Sequence, residues 1–272
     1  MAITIKSPAE LALMRQAGQV VAATIATLVS SLRPGMRTAE LDGIAEREIR
    51  SRGATPSFLG YKGYPASICV SVNEEIVHGI PGERVLKEGD VVSLDVGAIY
   101  QGWQGDGAVT VGLGNISQEA RQLIEVTRGS LEVGIQRARA GARLGDIGAA
   151  IQEHVESRGY SVVREYVGHG IGRQMHEEPQ VPNYGTPGRG LRLVPGMCLA
   201  IEPMVNLGDW HTTVGPDQWT ISTADRSLSA HFEHTIAIHE DHAEVLTKLA
   251  GTEDIWAHAG GLPSGVSRGS GA

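Results

Sequence analysis

Four acidic residues and one histidine stand where such groups are costly unless something pairs with them. Leu199-Ala200-Ile201-Glu202-Pro203 drives Glu202 to the end of an apolar run, and Val91-Val92-Ser93-Leu94-Asp95 does the same with Asp95. A charge left unpaired in apolar surroundings is expensive. Asp106 lies in Gly105-Asp106-Gly107, His169 in Gly168-His169-Gly170, and Glu233 in His231-Phe232-Glu233-His234 ahead of another apolar run. Singly, each has a plainer reading: a strand end, a turn aspartate, a loop histidine satisfied by the backbone. Jointly they are candidates for a metal site, because the chain carries an internal repeat that would gather them.

The repeat aligns Pro34–Gly53 on Ala140–Gly159 without gaps, and Gly35, Arg37 and Ser51-Arg52-Gly53 recur as Gly141, Arg143 and Ser157-Arg158-Gly159. Further on, Glu88–Asp95 aligns on Pro195–Glu202, which sets Asp95 against Glu202. Ile76-Val77-His78-Gly79-Ile80 resembles Val167-Gly168-His169-Gly170-Ile171, pairing His78 with His169. A duplicated unit folds into two similar halves, and a two-fold axis brings equivalent positions together. Two acids and two histidines would then meet between the halves.

The elements that must position them can be read from local signals. Ser7-Pro8-Ala9-Glu10 predicts a capped helix start, with the helix running to about Ser31. A second helix is expected over roughly Ala39 to Arg52, stopped by Gly53. Ser117 caps a third helix to about Ala140, and the repeated helix follows to Arg158. Ser67–Val72, Val91–Ile99 and Val162–Val167 read as strands. If the chain reverses at Tyr100-Gln101, Asp95 and Asp106 become cross-strand neighbours, and two carboxylates at that range repel unless cations sit between them. The Gly/Pro-rich segment from Gly168 to Gly196 reads as an insertion beside the site. HTIAIHEDHAEVLT predicts a hairpin around Glu240-Asp241. The expected plan is α/β in the α+β sense: a curved, mostly antiparallel sheet with two helix pairs on one face. It forms one catalytic domain over residues 1–252, with halves of about 1–115 and 116–252. The tail 253–272, Gly/Ser-rich from about Gly260, is expected to be disordered.

Composition is that of a globular protein, with 41% hydrophobic and 20% charged residues in 272. A net charge of −8 argues against a general nucleic-acid surface. Two cysteines, Cys69 and Cys198, lie in apolar runs and read as reduced, buried thiols, which fits a cytoplasmic location. The start lacks a secretory pattern, and the most apolar stretch, Val20–Leu32, is too short to span a bilayer. No membrane association and a monomer are expected.

The ordered motifs give a sharper resemblance across roughly residues 3 to 250. Ser71–Pro81 (SVNEEIVHGIP), Leu94-Asp95-Val96-Gly97 leading to Gly105-Asp106, Gly168–Gly172 (GHGIG), His176–Gly185 (HEEPQVPNYG), Ile201-Glu202-Pro203-Met204 and Glu233-His234-Thr235 together resemble the type I methionine aminopeptidases of the short bacterial form. The resemblance implies the pseudo-two-fold pita-bread fold and two divalent metal ions held by Asp95, Asp106, His169, Glu202 and Glu233. Such a hard donor set suits Co, Mn, Fe, Zn or Mg and is unlike a thiolate zinc site. It implies hydrolysis of N-terminal methionine from nascent chains, with a preference for a small second residue. A metal-bridging hydroxide would be the nucleophile, Glu202 both ligand and proton shuttle, and His78 and His176 catalytic partners that bind substrate and stabilise the tetrahedral intermediate. The partners implied are methionyl peptides and transiently the ribosome.

Tyr61, Tyr64, Cys69, His78, Met175 and Trp219 are the positions that would line the side-chain pocket in the family. Three departures stand out: Met175 where an aromatic residue is common, Phe58 where a second cysteine often lies, and Gly107 where a hydroxyl residue is usual. Relatives specific for Xaa-Pro bonds (aminopeptidases or prolidases) usually carry an extra leading domain, whereas here the repeat begins almost at once. Pita-bread binding modules without catalysis should lack metal ligands, and this chain keeps all five. The 31 positions from Glu202 to Glu233 (233 − 202) leave no space for the helical insertion of type II enzymes. The zinc-finger extension of cytosolic eukaryotic forms is likewise not expected.

Overall fold

A computed structural model describes residues 3–249; the tail expected from residue 253 lies outside the described residues. Helix α1 (Pro8–Ser31) starts as predicted, with Ser7 Oγ accepting the Glu10 N–H at 3.4 Å and Glu10 Oε2 accepting the Ser7 N–H at 2.8 Å. Helices α2 (Thr38–Ser51), α3 (Gln118–Arg137) and α4 (Leu144–Glu156) follow, the last two ending two or three residues earlier than expected. The two halves repeat one local solution. Glu40 Oε1 accepts the Arg37 N–H at 2.8 Å, and Asp146 Oδ2 accepts the Arg143 N–H at 2.7 Å. The Gly35 and Gly141 N–H groups donate to Leu86 and Leu193, with φ of 88° and 87°. Duplication is therefore visible in the backbone as well as in the residues.

The main sheet has nine strands, all paired antiparallel. Its path runs Thr55–Pro56, Val91–Tyr100, Trp103–Gly112, Glu233–Ile238, Cys198–Ile201, Gly168–Gly170, Glu177–Val181, with Ile68–Val72 also on Val91–Tyr100 and Ala243–Val245 on Glu233–Ile238. The halves meet where Glu233 faces Ala108 and His234 faces Gly107. Period-two alternation sorts each strand. Leu94, Val96, Ala98, Val109, Val111, Leu199, Ile201, Ile236 and Ile238 are buried in one apolar core with Val20, Val21, Ile25 and Leu28 of α1 and Ile147 and Ile151 of α4. The residues between them, including Asp95, Asp106 and Glu233, point to the opposite face.

Close contact between α1 and the sheet depends on two residues without side chains. A Cβ on Gly105 would lie 2.8 Å from Gly18 N, and one on Gly18 would lie 2.3 Å from the Leu246 carbonyl oxygen. At 24 residues, α1 is by length and composition able to cross a membrane, which a reading limited to Val20–Leu32 does not register. Its apolar residues, from Leu11 and Met14 to Ile25 and Leu28, are instead covered inside the protein.

Two expectations need correction. The hairpin joining Val91–Tyr100 to Trp103–Gly112 turns at Gln101-Gly102, not Tyr100-Gln101. Both turn residues have positive φ, 48° and 79°, as a two-residue primed turn requires, and Gly102 supplies the second at no steric cost. Asp95 therefore faces Ala108 and Asp106 faces Gly97, so the acids are diagonal neighbours on one face. The strand expected over Val162–Val167 is only Ser161–Val162, paired to Met204–Asn206. Beyond Val163 the chain turns polar: the Arg164 guanidinium stacks over Tyr184 and Trp210, and Glu165 accepts from Thr212. The insertion from Gly168 contributes two strands to the main sheet, and the hairpin around Glu240-Asp241 forms as expected.

Candidate metal centre and substrate pocket

The side chains of Asp106, His169 and Glu233 offer ligand atoms all within 4.8 Å of one another, and all three residues are buried. Glu202 joins them, with Oε1 3.5 Å from His169 Nε2; Asp106 Oδ2 lies 3.8 Å from the same nitrogen. Asp95 stands on the same face, two residues from Gly97, which pairs with Asp106. Neighbouring strands hold each group. Thr235 Oγ1 accepts the Asp106 N–H at 3.0 Å and donates to the Asp106 carbonyl at 2.8 Å, tying the first half to the second at the seam. Asn183 Nδ2 donates to the Glu202 carbonyl at 3.0 Å, so the HEEPQVPNYG motif fixes that backbone. Asp42 of α2 accepts the Ser67 and Ile68 N–H groups and anchors the strand that places Cys69 opposite Asp95.

The histidine's protonation follows from its partner. His169 Nδ1 lies 2.9 Å from the Gly170 carbonyl, which can only accept, so Nδ1 carries the proton. Burial and the nearby His176 push its pKa down to about 3, so the ring is neutral and Nε2 presents a lone pair to Asp106 and Glu202. The acids are perturbed the other way. Burial lifts Asp95 to about 7, partly offset by a hydrogen bond from the Cys69 thiol. Burial, then Asp95 and Glu202, hold Asp106 well above the carboxylate range; burial and Asp95 do so for Glu202. Glu233 is raised by burial and then by all three other acids. Asp95 Oδ1 and Glu233 Oε1 are buried with no hydrogen-bond partner. Four mutually repelling carboxyls, two oxygens without partners and one lone pair aimed among them fit divalent cations. A neutral polar cluster would pair its atoms internally.

The expected catalytic histidines lie at one edge of this set. His176 is ring-stacked with Tyr61 at 5.6 Å, its Nδ1 2.9 Å from the Tyr61 hydroxyl, and its centroid is 4.2 Å from that of His169. Burial and then Lys62 lower its pKa. His78 follows the strand Glu75–Val77 with φ 62°, a left-handed conformation uncommon outside glycine, and meets the Tyr166 ring edge-on at 5.9 Å. Burial, then His176 and Lys62, lower His78 to about 4. Both imidazoles are neutral hydrogen-bonding groups at pH 7.

The pocket residues gather in two patches that share Phe58. Tyr64, Cys69 and Ala66 pack with Phe58, Ile80 and Trp219; Met175 packs with Trp103 and Ile171 against Phe58 and Tyr61. Tyr64 stands edge-on to both Trp219 (5.1 Å) and Phe58 (6.5 Å), and its hydroxyl donates to the Gly79 and Ile68 carbonyls. The two patches close over Gly97, where a Cβ would lie 2.7 Å from Phe58 Cε1 and 2.9 Å from Met175 Cε. Both cysteines are free and buried. Two residues of the site escaped the sequence reading. Thr235 clamps Asp106, and His231, 1% exposed, places Nε2 4.0 Å from Glu202 Oε2. Period-two spacing from Glu233 was the available signal for both.

A model of metallopeptidase family M24 matches residues 12–240. The chain belongs to that family. Methionine aminopeptidase 1 of Bacillus subtilis is 55% identical over 247 residues, covering 91% of this chain and all of its own length. Methionine aminopeptidase of Clostridium acetobutylicum is 54% identical, with coverage of 90% and 98%. The crystal structure of methionine aminopeptidase from Thermotoga maritima superposes with a TM-score of 0.90 at 49% identity, over 91% of this chain and 100% of that one. Within M24 the chain thus stands among the type 1 methionine aminopeptidases, with the pita-bread fold. Prolidase from Pyrococcus furiosus, 21% identical with a TM-score of 0.74, shares the fold.

Gly107, expected from the resemblance to be a hydroxyl residue, has a local explanation. Its N–H donates to Asp106 Oδ1 at 3.1 Å, and a Cβ would press Val21 Cγ1 at 3.2 Å. The helix side of the strand is filled by Val21, and Asp106 is secured from the neighbouring strand by Thr235.

Proposed function

We propose that this chain removes the N-terminal methionine from nascent proteins and peptides in the cytoplasm, with residues 1–252 acting as one catalytic unit. The reading rests on one observation above all. Four carboxyls and the His169 lone pair converge at the seam of the duplicated halves, and two of the buried oxygens lack partners. Asp95, Asp106, His169, Glu202 and Glu233 would hold two divalent ions. When bound, such ions act as Lewis acids that polarise a carbonyl and acidify water.

The protein's own groups account for the rest. Glu202, raised by burial and by Asp95, is a carboxylate suited to take a proton from water and return it to the leaving amine. Neutral His176, its Nδ1 held against the Tyr61 hydroxyl, would present Nε2–H to the substrate carbonyl oxygen. Neutral His78 would hydrogen-bond the scissile amide. The methionine side chain would lie between Phe58, Tyr64, Cys69, Trp219 and Met175, where aromatic edges and a thiol suit a thioether. Burial and Asp95 keep Cys69 a thiol, available to donate to Asp95. The second residue of the substrate would lie beside His176 and Tyr61, and a small one is preferred in this reading.

The test is chelation followed by add-back of Mn, Fe, Co, Zn or Mg singly, with methionine release measured from Met-Ala-Ser and Met-Leu-Ser. Release from the alanine peptide at least tenfold faster, and dependent on added metal, is expected. Absence of release with every ion would overturn the activity; equal turnover of the two peptides would overturn the size preference.

A further inference from the structure

Among the described residues, His231 is buried with neither ring nitrogen hydrogen-bonded. Its backbone is held firmly. The His231 N–H donates to Thr110 Oγ1 at 2.8 Å, and Thr110 Oγ1 spends its proton on the His231 carbonyl at 2.7 Å. That leaves Ser93, on the strand that carries Asp95, to donate to Thr110 at 2.8 Å. Pairing of His231 with Met204 sets the ring beside Glu202, Nε2 lying 4.0 Å from Oε2.

The other oxygen of the same carboxylate faces an imidazole too, but one that cannot help. His169 has committed its N–H to Gly170, so it turns a lone pair toward Glu202 Oε1 at 3.5 Å. Lone pair against carboxylate oxygen fixes no orientation unless a proton or cation lies between. The missing donor can come from the opposite side, where a displacement of Glu202 Oε2 by about 1 Å closes the 4.0 Å gap to hydrogen-bond range.

We propose that His231 is a positioning residue: through Nε2–H it donates to Glu202 Oε2 and fixes the carboxylate plane with Oε1 turned toward His169. This rests on the reading of Glu202 as a metal-holding, proton-moving group. Neither ring nitrogen is committed to another partner, so Nε2 is free to carry the proton that faces Glu202. Outer-shell donors of this kind typically change metal affinity or activity by ~10–100-fold.

The test compares His231→Leu and His231→Gln with the wild-type holoenzyme. Steady-state kinetics would be run on Met-Ala-Ser, Mn(II) affinity measured by calorimetry, and the His231 ring observed by 15N NMR. His231→Leu should weaken Mn(II) binding or lower kcat by ~10–100-fold with KM nearly unchanged. His231→Gln, which keeps an N–H donor, should recover most of the loss, and the wild-type ring should carry its proton on Nε2. Equal behaviour of all three proteins, equal loss in both variants, or a proton on Nδ1 would each overturn the proposal. Should His231→Leu fail to fold, rescue in His231→Gln and the tautomer still decide. Wild-type protein inactive with every ion would sink the activity reading instead, leaving calorimetry and NMR to judge His231 alone.

Discussion

Removing divalent metal should make the protein's stability fall as pH rises above about 7, where the imidazoles of His78, His169, His176 and His231 are neutral in the folded and unfolded chain alike and no longer add stability with pH. Asp95 illustrates the magnitude. In the metal-free fold its carboxyl is raised to about 7, against an ordinary value of 3.8. A group raised in the folded state gives its full contribution below the unfolded value, where both states are protonated. The contribution is lost as pH climbs toward the folded value, because the unfolded chain ionises first. The slope is about 1.4 kcal/mol per pH unit while only the unfolded state is ionised. Between pH 5.5 and 7 that is a loss of ~2 kcal/mol from Asp95 alone, opposed in that window by the buried histidines, whose lowered values make stability rise through the unfolded value of about 6.5. Asp106, Glu202 and Glu233, raised further by burial and by one another, extend the loss to higher pH. They titrate as a coupled set, so their contributions do not simply add.

The assay is urea denaturation of chelated protein at pH 7.0, 7.75 and 8.5, repeated with saturating Mn(II). Metal-free stability should drop by at least ~2 kcal/mol across the series, equivalent to a fall in Tm of roughly 4–8 °C. Metal at 100 times its Kd adds about 2.7 kcal/mol by mass action, and the gain should be largest at pH 8.5, where the acids are already ionised. Metal-free stability that is flat or rises from pH 7.0 to 8.5 would refute the claim that these carboxyls are forced together without compensation.

Three further outcomes test individual parts. His78→Ala should cut kcat by about 10²–10⁴-fold with metal content unchanged, as for a lost acid/base or oxyanion donor; metal loss, read by elemental analysis, would show the role is misassigned. Thr235→Val leaves the buried Asp106 N–H without its acceptor, so a loss of about 1–3 kcal/mol in urea midpoints is expected together with weaker Mn(II) binding. Gly18→Ala sets a Cβ 2.3 Å from the backbone oxygen of Leu246. Helix propensity favours alanine by about 1 kcal/mol, yet the clash should win, lowering stability by roughly 1–3 kcal/mol net or preventing folding.

Local rules read the helices well because their ends are written in adjacent residues: Ser7 with Glu10, and the Gly35 and Gly141 turns ahead of the repeated helices. Asp95 and Glu202 stand out by their apolar flanks and the repeat; Asp106, His169 and Glu233 are candidates only jointly, and the full metal-holding set is what the resemblance of the ordered motifs implies. Register was harder. Glycine at 102 and positive φ at Gln101 shift the hairpin by one residue, and Asp95 and Asp106 change from directly opposed to diagonal. Alternation keeps both on one face despite the shift. His231 and Thr235 were not found because their partners, Glu202 and Asp106, lie 29 and 129 positions away in sequence.

The repeat predicted proximity but could not predict roles, and the reason is geometric. His169 lies within the main sheet, paired to Ala200 beside the strand leading into Glu202, with its N–H fixed on its neighbour's carbonyl. Its counterpart His78 follows a strand that pairs with Ile221–Thr223 in a separate sheet, and a left-handed backbone turns it toward Tyr166. One copy is thus locked as a lone-pair donor among carboxyls. The other is free to use an N–H against something that enters from outside. The same asymmetry separates the acids. Asp95 sits mid-strand, opposite Cys69, whereas Glu202 follows the strand Cys198–Ile201, ahead of Pro203, with a histidine facing each oxygen. Duplication supplies two acids and two imidazoles, and the differing strand environments are what would divide them into the groups proposed to hold a cation and those proposed to handle substrate and proton.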